Sequence, residues 1–244
     1  MFSLQKEAHG NVKVVLFFAV IVAGLPSAVA PQAFPAGPVQ LSSVVQALEA
    51  RYQGVSALKA KFLERRSEGK NAVEMESGTV YFRKPGRMRW EYEYPEIKLF
   101  LTDGKYAWFY VPADHTVSRA KMRASDDERI PLALLTGNAK LSRICKRIEF
   151  AGASTFGDNS VSTNDHLALR CFPRTDGAFL DAIIELDASY RVTRIFLREP
   201  GAIETEFRFA DWQENARLSD EVFRFVAPPG VAIVEVPLVE TPNQ

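Results

Sequence analysis

From Ser56 onward, apolar and polar residues alternate along most of the chain, and this period of two constrains the fold more than any other feature. Such alternation is typical of strands that bury one face of a sheet and expose the other. Charged residues interrupt even the most aromatic stretch, YFRKPGRMRWEYEYP (81–95). The pattern places the apolar residues of the first three strands on one face: Leu58, Ala60, Phe62, Val80, Phe82, Met88, Trp90, Tyr92 and Tyr94.

Turn sequences divide the alternating region into short segments. KPGR (84–87) supplies one turn, and Asp103-Gly104 is a dipeptide typical of a tight hairpin. Further alternating segments follow residue 143, separated by turn signals such as RTDG. These segments predict about ten or eleven strands, each antiparallel to the next along the chain.

Two other elements accompany the strands. Apolar residues recur at helical spacing within 39–53, which predicts an amphipathic helix that ends at Gly54. The charged run 118–129 interrupts the alternation, and the apolar run IPLALLTG (130–137) predicts one or two helical turns. The expected fold is mainly β: an incomplete, half-open antiparallel β-barrel of about eleven strands with an N-terminal amphipathic helix and a short helical lid.

The first thirty residues differ in kind from the rest. Lys6 and Lys13 precede the apolar run 14–25, and Ala28-Val29-Ala30 fits a small-x-small cleavage pattern. An uncleaved anchor is the alternative to a secretory signal. The 30 basic and 30 acidic residues balance, so the net charge gives no attraction to nucleic acid. We expect three parts: a cleaved signal peptide (1–30), a flexible Pro-rich leader (31–38) and a single domain (39–244).

The sequence contains two cysteines, Cys145 and Cys171. They lie in the alternating segments RICKRIEF and HLALRCFP, which fit neighbouring strands. An oxidising compartment favours a disulfide between them. Two free buried thiols are the alternative.

Residues suited to catalysis are scarce. After the predicted signal the chain has His115 and His166, and no motif for a nucleophile elbow, a zinc site or a phosphate loop. The acidic run 126–128 is typical of a solvated loop. We therefore expect no catalytic residue, no metal site and no cofactor.

Four motifs occur in a characteristic order: YFRKPGRMRWEY, TDGKYAWFYVP, IPLALLTG and FRFVAPPGV. Together with the predicted signal, they resemble the LolA-type outer-membrane lipoprotein carriers over about residues 40–234. The resemblance implies a soluble, non-enzymatic periplasmic carrier, expected to be a monomer. Its implied partners are triacylated lipoproteins, an inner-membrane lipoprotein-releasing ABC transporter and, if present, an outer-membrane lipoprotein acceptor.

The resemblance also suggests site residues. The candidates for the lining of a lipid cavity are Phe62, Val80, Phe82, Met88, Trp90, Leu99, Leu101 and Trp108. The apolar plug of the lid would be Leu132, Leu134 and Leu135. The family's latch for the lid is typically an Arg before the strand-end Pro. Here that position is Lys84, and Arg83 or Arg87 are alternatives for the same task.

Two other classes of function are open alternatives. A sensor or regulator of the same fold would read lipid or lipoprotein and act on a membrane partner. A lipid-modifying enzyme would need a nucleophile–base pair, which the sequence does not offer.

Overall fold

The computed structural model describes residues 39–69, 73–122, 134–135, 140–152, 166–174 and 179–236, all within the compact unit Gln32–Gln244. Its helices are α1 (Leu41–Gly54) and α2 (Leu141–Ile144), with 3-10 turns at Pro112–Asp114 and Asp220–Phe223. Its strands are β1 (Ala57–Glu68), β2 (Val73–Arg83), β3 (Arg87–Tyr94), β4 (Lys98–Thr102), β5 (Tyr106–Val111), β6 (Thr116–Lys121), β7 (Cys145–Phe150), β8 (His166–Pro173), β9 (Asp181–Asp187), β10 (Val192–Glu199), β11 (Ile203–Glu214) and β12 (Ala232–Glu235).

These strands form one twelve-stranded sheet in the order β12-β6-β5-β4-β3-β2-β1-β11-β10-β9-β8-β7. It consists of two antiparallel meanders, β1 to β6 and β7 to β11, joined where β1 pairs with β11. Because β12 and β7 lie at opposite ends of this order, the sheet is open. The prediction of a mainly β, incompletely closed antiparallel fold is confirmed, with one strand more than expected.

One strand comes from a segment that the sequence pattern did not mark. The run 118–129 was expected to interrupt the alternation, but its first residues belong to β6. β6 pairs antiparallel with β5 on one side and parallel with β12 on the other. Its charged residues are tolerated because they lie near the end of the sheet, where burial is incomplete.

Helix α1 forms as predicted and packs through its apolar stripe, since Val44, Leu48 and Tyr52 are buried. The Tyr52 hydroxyl accepts a hydrogen bond of 2.9 Å from the backbone N–H of Val192. Burial raises the pKa of Tyr52 far above its usual value. In the last turn, Arg51 donates to the Ser189 carbonyl at 2.9 Å. These contacts fix the helix on the second meander.

The two faces of the sheet have different covers. We call the face that carries Phe62, Val80 and Trp90 the helix face, because these residues share one apolar cluster with the buried residues of α1. The other side is called the opposite face. Cross-strand pairs lie on the same face of a sheet, so the register assigns each residue to one of the two.

A β-bulge changes the predicted aromatic row at its end. Ser77 pairs with Tyr94 while Gly78 pairs with Tyr92, so β3 has one more residue than β2 at this point. Tyr94 therefore lies on the opposite face and is 65% exposed. The expectation that it continues the row of Met88 and Trp90 is wrong, because the bulge shifts the alternation by one residue.

Gly78 is required at this bulge. A Cβ atom added there would lie 1.8 Å from the carbonyl oxygen of Glu91, a backbone atom that cannot rotate away. We expect Gly78→Ala to lower the free energy of unfolding by about 1–3 kcal/mol, because β2 and β3 must separate locally. Urea denaturation measures the change. Gly54→Ala is the matched control, since a Cβ there meets nothing within 4 Å; an equal loss in both variants would contradict this explanation.

Candidate functional site

Aromatic rings dominate the centre of the helix face. The ring centroid of Trp90 lies 4.8 Å from Phe62, 5.9 Å from Phe82 and 5.4 Å from Phe207. The four rings come from β1, β2, β3 and β11, so they span the junction between the two meanders. Edge-to-face and tilted contacts of this kind add to the hydrophobic gain of burial. We call Phe62, Phe82, Trp90, Phe207 and Phe209 the Trp90 cluster.

Two leucines of the predicted lid are buried in the same apolar cluster. Leu134 and Leu135 are helical and only 1% and 3% exposed. They belong to the hydrophobic cluster that contains Trp90 and Met88. Leu132, the third predicted lid residue, lies outside the described residues. The helix face is thus covered in part by short apolar side chains from a segment between β6 and α2.

The predicted lining residues divide between the two faces. Phe62, Val80, Phe82, Met88 and Trp90 lie on the helix face and are buried. The register pairs Trp90 with Phe100 and Arg89 with Leu101, so Leu101 faces away from Trp90. Leu99 and Trp108 share the opposite face with Leu101. Their assignment to a common lining with Trp90 is wrong.

Alternation carries no information about the faces of this hairpin. Both faces of β4 and β5 are apolar, so the sequence of the hairpin fits either parity. Phe100 is the residue of β4 that packs against the cluster on the helix face, and the prediction missed it. Phe100 is located by the pairing of β3 with β4, in which Phe100 lies directly opposite Trp90 and therefore on the same face.

Leu101 and Trp108 instead form a second apolar cluster with Val117 on the opposite face. The Trp108 ring stacks on Phe225 with centroids 5.2 Å apart. Its indole N–H donates to the Asp103 carboxylate at 3.0 Å. Phe225 belongs to the segment that follows β11, so this cluster holds the C-terminal part of the domain on the sheet.

The predicted latch contacts helix α1. Lys84 Nζ donates to the carbonyl of Gln53 at 2.6 Å, near the C-terminal end of α1, where carbonyls lack a partner within the helix. Desolvation lowers the pKa of Lys84. Among the described residues, its hydrogen-bond partner is therefore in α1. The sequence could not distinguish this partner from one in the lid, because both are backbone carbonyls.

Among the described residues, Arg83 and Arg87 contact the segment after β11 and not the predicted lid. Arg83 donates to the Leu218 carbonyl at 3.0 Å and forms an ion pair with Asp220. Arg87 lies 3.1 Å from the same carboxylate. These arginines hold the pKa of the exposed Asp220 carboxyl below its usual value. They bind the segment after β11 and thereby reinforce the attachment made by Phe225.

Polar side chains replace the rings toward the β1–β2 hairpin end of the helix face. Tyr92 donates its hydroxyl hydrogen to Glu64 Oε2 at 2.9 Å. Lys98 forms an ion pair with Glu76, and its Nζ lies 5.1 Å from the centre of the Tyr92 ring. On the other side of Glu64, Thr205 donates to Glu199 at 2.9 Å. We define the polar rim as Glu64, Arg66, Glu76, Tyr92, Lys98, Glu199 and Thr205.

Within this rim, the carboxyl group of Glu64 has a shifted pKa. Burial raises the pKa of Glu64, and the nearby Glu76 charge adds to the effect. The Tyr92 hydrogen bond and the positive charges of Lys98 and Arg66 oppose it. The net result is a carboxyl group that keeps its proton to higher pH than a solvated Glu.

The disulfide prediction is confirmed. Cys145 and Cys171 are bonded, and β7 pairs with β8 as expected. Cys145 directly follows α2, whose Leu141 is buried in the cluster of the helix face. The bond therefore ties the chain segment after the lid to the sheet.

Within the described part of the chain, no group of three or more His, Cys, Asp or Glu side chains is placed to hold a metal ion. No described helix is long and apolar enough to cross a membrane. His115 is exposed at the end of a 3-10 turn, and His166 Nδ1 lies 3.5 Å from Glu185 at the start of β8. The acidic run 126–128 lies outside the described residues.

The raised pKa of Glu64 predicts a specific dependence of stability on pH. The folded state binds this proton more tightly than the unfolded chain, whose Glu pKa is 4.5. The stabilising contribution is therefore present below that value and is lost as pH rises through the folded pKa. We expect Glu64→Gln to avoid this loss, so its stability relative to the parent protein increases from pH 4 toward neutrality. Urea denaturation of both proteins across this range measures the difference; a constant difference would contradict the assignment.

The disulfide predicts a second effect on stability. The bond closes a loop with a sequence separation of 26 residues. In the chain-entropy model, replacing both cysteines by serine lowers the free energy of unfolding by about 3 kcal/mol. Denaturation of this double variant measures the loss, and the parent protein in reductant is the matched control. Labelling of free thiols in the parent protein isolated from the periplasm would contradict the bond itself.

Comparison with known proteins identifies a family for this chain. The family model described as "Outer membrane lipoprotein carrier protein LolA" matches residues 53–226. An outer-membrane lipoprotein carrier protein of Chromobacterium violaceum is 30% identical over 199 residues, covering 82% of this chain and 90% of the relative. One from Nitrosospira multiformis is 26% identical over 182 residues, covering 68% and 76%.

Among solved structures, the chain is similar to a LolA superfamily protein from Nitrosomonas europaea with a TM-score of 0.43 and 12% identity, covering 77% of this chain and 98% of that one. The family model spans more than half of the chain, and the relatives align over most of their own length. The chain therefore belongs to the LolA family of outer-membrane lipoprotein carrier proteins.

Proposed function

We propose that this protein carries lipoproteins through the periplasm and shields their acyl chains on the helix face of the sheet. The observation that carries the proposal is the burial of Leu134 and Leu135 in the same cluster as Trp90. Aliphatic side chains from a short segment occupy this face, and acyl chains offer the same chemistry. Displacement of these leucines would expose an apolar surface to a ligand.

The energetics of transfer support this exchange. Each methylene that leaves water gains about 0.8 kcal/mol, so a long acyl chain does not leave a binding site for water at a useful rate. A carrier must therefore bind apolar chains without holding them too tightly. Competition from Leu134 and Leu135 meets this need, because the apolar surface is buried in both the empty and the loaded protein.

The same proposal assigns partners and compartment. Triacylated lipoproteins are the cargo, an inner-membrane ABC transporter releases them to this protein, and an outer-membrane acceptor receives them. The predicted signal peptide and the disulfide both fit an oxidising, extracytoplasmic compartment. The carrier acts as a soluble monomer and performs no covalent chemistry on the lipid.

Native mass spectrometry with a triacylated lipopeptide tests the proposal. We expect a one-to-one complex that contains the intact lipopeptide. Released fatty acid would indicate a lipid-modifying enzyme. A folded protein that forms no complex would overturn the carrier proposal.

If Leu134 and Leu135 compete with acyl chains for the helix face, truncation of one of these side chains should favour the ligand. We expect Leu135→Ala to tighten lipopeptide binding by about tenfold, because the empty state loses more packing than the loaded state. Titration followed by native mass spectrometry measures the affinity. Leu101→Ala is the matched control, since Leu101 is also buried but lies on the opposite face. Equal affinities for Leu135→Ala and the parent protein would contradict the role of this leucine.

A further inference from the structure

The helix face changes from apolar to polar along four neighbouring strands at the same level. In β1 the change occurs between Phe62 and Glu64, and in β4 between Phe100 and Lys98. Glu64 pairs across the strands with Glu76 on one side and Phe207 on the other. The polar rim therefore borders the Trp90 cluster directly. The Tyr92 ring, which contacts Phe62 at 5.1 Å, connects the two.

The charges of the rim do not balance. Its two cations are paired, Lys98 with Glu76 and Arg66 with Glu199 at 3.5 Å. Glu64 is the third carboxyl group, and across the described residues it forms a hydrogen bond with Tyr92 but no ion pair. A half-buried carboxyl group with one neutral donor retains unused acceptor capacity. A further donor that reaches it would form an additional hydrogen bond.

An acylated ligand would bring such a donor to this place. Acyl chains packed on the Trp90 cluster end in ester and amide groups. In β1, Glu64 lies two positions from Phe62, and its cross-strand partner in β11 is Phe207 of the cluster. We propose that the polar rim binds the polar end of the acylated cargo, with Glu64 accepting a hydrogen bond from an N–H group of that end. This inference rests on the proposed carrier function and adds a polar contact to it.

Two kinds of cargo supply an N–H group beside ester-linked chains. An N-acylated cysteine offers a neutral amide, whereas a cysteine that bears only the diacylglyceryl group offers an ammonium. A hydrogen bond between an ammonium and a carboxylate is stronger than one from a neutral amide. Glu64 is therefore expected to contribute more to the binding of cargo with a free α-amine.

The opposite face provides a matched control. There Tyr81 donates to Glu91 Oε2 at 3.2 Å, which repeats the pairing of a tyrosine hydroxyl with a glutamate. Glu91 also accepts from Arg89 and pairs across the strands with Leu99, away from the Trp90 cluster. A general effect of losing a carboxylate in this sheet should appear in both variants, whereas a contact with cargo should appear only at Glu64.

The experiment titrates the protein with two synthetic lipopeptides of the same peptide sequence. One carries an S-diacylglyceryl cysteine with a free α-amine, and the other carries the same cysteine with an N-acyl chain. We expect Glu64→Gln to weaken binding of the free-amine lipopeptide by at least about tenfold and that of the N-acylated one by less. Glu91→Gln should change neither affinity.

A second variant tests the role of Glu64 even if the Glu64→Gln protein does not fold. Tyr92→Phe retains the ring on Phe62 but removes the hydroxyl that competes for Glu64. We expect it to tighten binding of the free-amine lipopeptide by a fewfold, about 3 to 10. Unchanged or weaker binding by Tyr92→Phe would overturn the role of Glu64.

The outcomes separate this inference from the carrier function on which it rests. If the parent protein binds neither lipopeptide, both are overturned. If it binds both, and Glu64→Gln binds them as the parent does, carriage stands and the polar contact is wrong. Equal weakening by Glu64→Gln and Glu91→Gln would assign both carboxylates to the stability of the sheet alone.

Discussion

The whole structure depends on covering one apolar face of a large open sheet. Strands of both meanders place apolar side chains on the helix face, and water penalises every part of that face left uncovered. Helix α1 covers the second meander through Tyr52 and Arg51. Leu134 and Leu135 cover part of the rest. Helix α1 alone does not cover this face, so a second segment contributes apolar side chains to it.

The two faces of the sheet hold different parts of the chain. On the opposite face, arginines and the Trp108 ring hold the segment after β11 in place. This attachment is independent of the helix face, since it uses the other side of β2 to β6. The proposed exchange of apolar partners on the helix face would therefore leave this attachment intact.

Much of the fold follows from the sequence, and the failures have local causes. The helix, the hairpins and the disulfide were predicted because periodicity, turn residues and cysteine number act over short distances. The sequence did not predict which residues of β4 lie on the helix face, because both faces of the β4–β5 hairpin are apolar. It also did not predict the position of Tyr94, because a β-bulge shifts the alternation there. The polar rim was missed because alternate charged residues look solvated until cross-strand neighbours show Glu64 beside Phe207.

The order of the strands also bears on the order in which the chain folds. Each meander pairs strands that are neighbours in sequence, and such local contacts form early. The ladder that joins the meanders pairs Phe62 with Phe209 and must close a loop that contains most of the domain. The Trp90 cluster draws rings from both sides of that ladder, so it can be completed only after β11 has paired with β1. The aromatic centre of the helix face therefore depends on the pairing with the largest loop-closure cost, and it forms after the local hairpins.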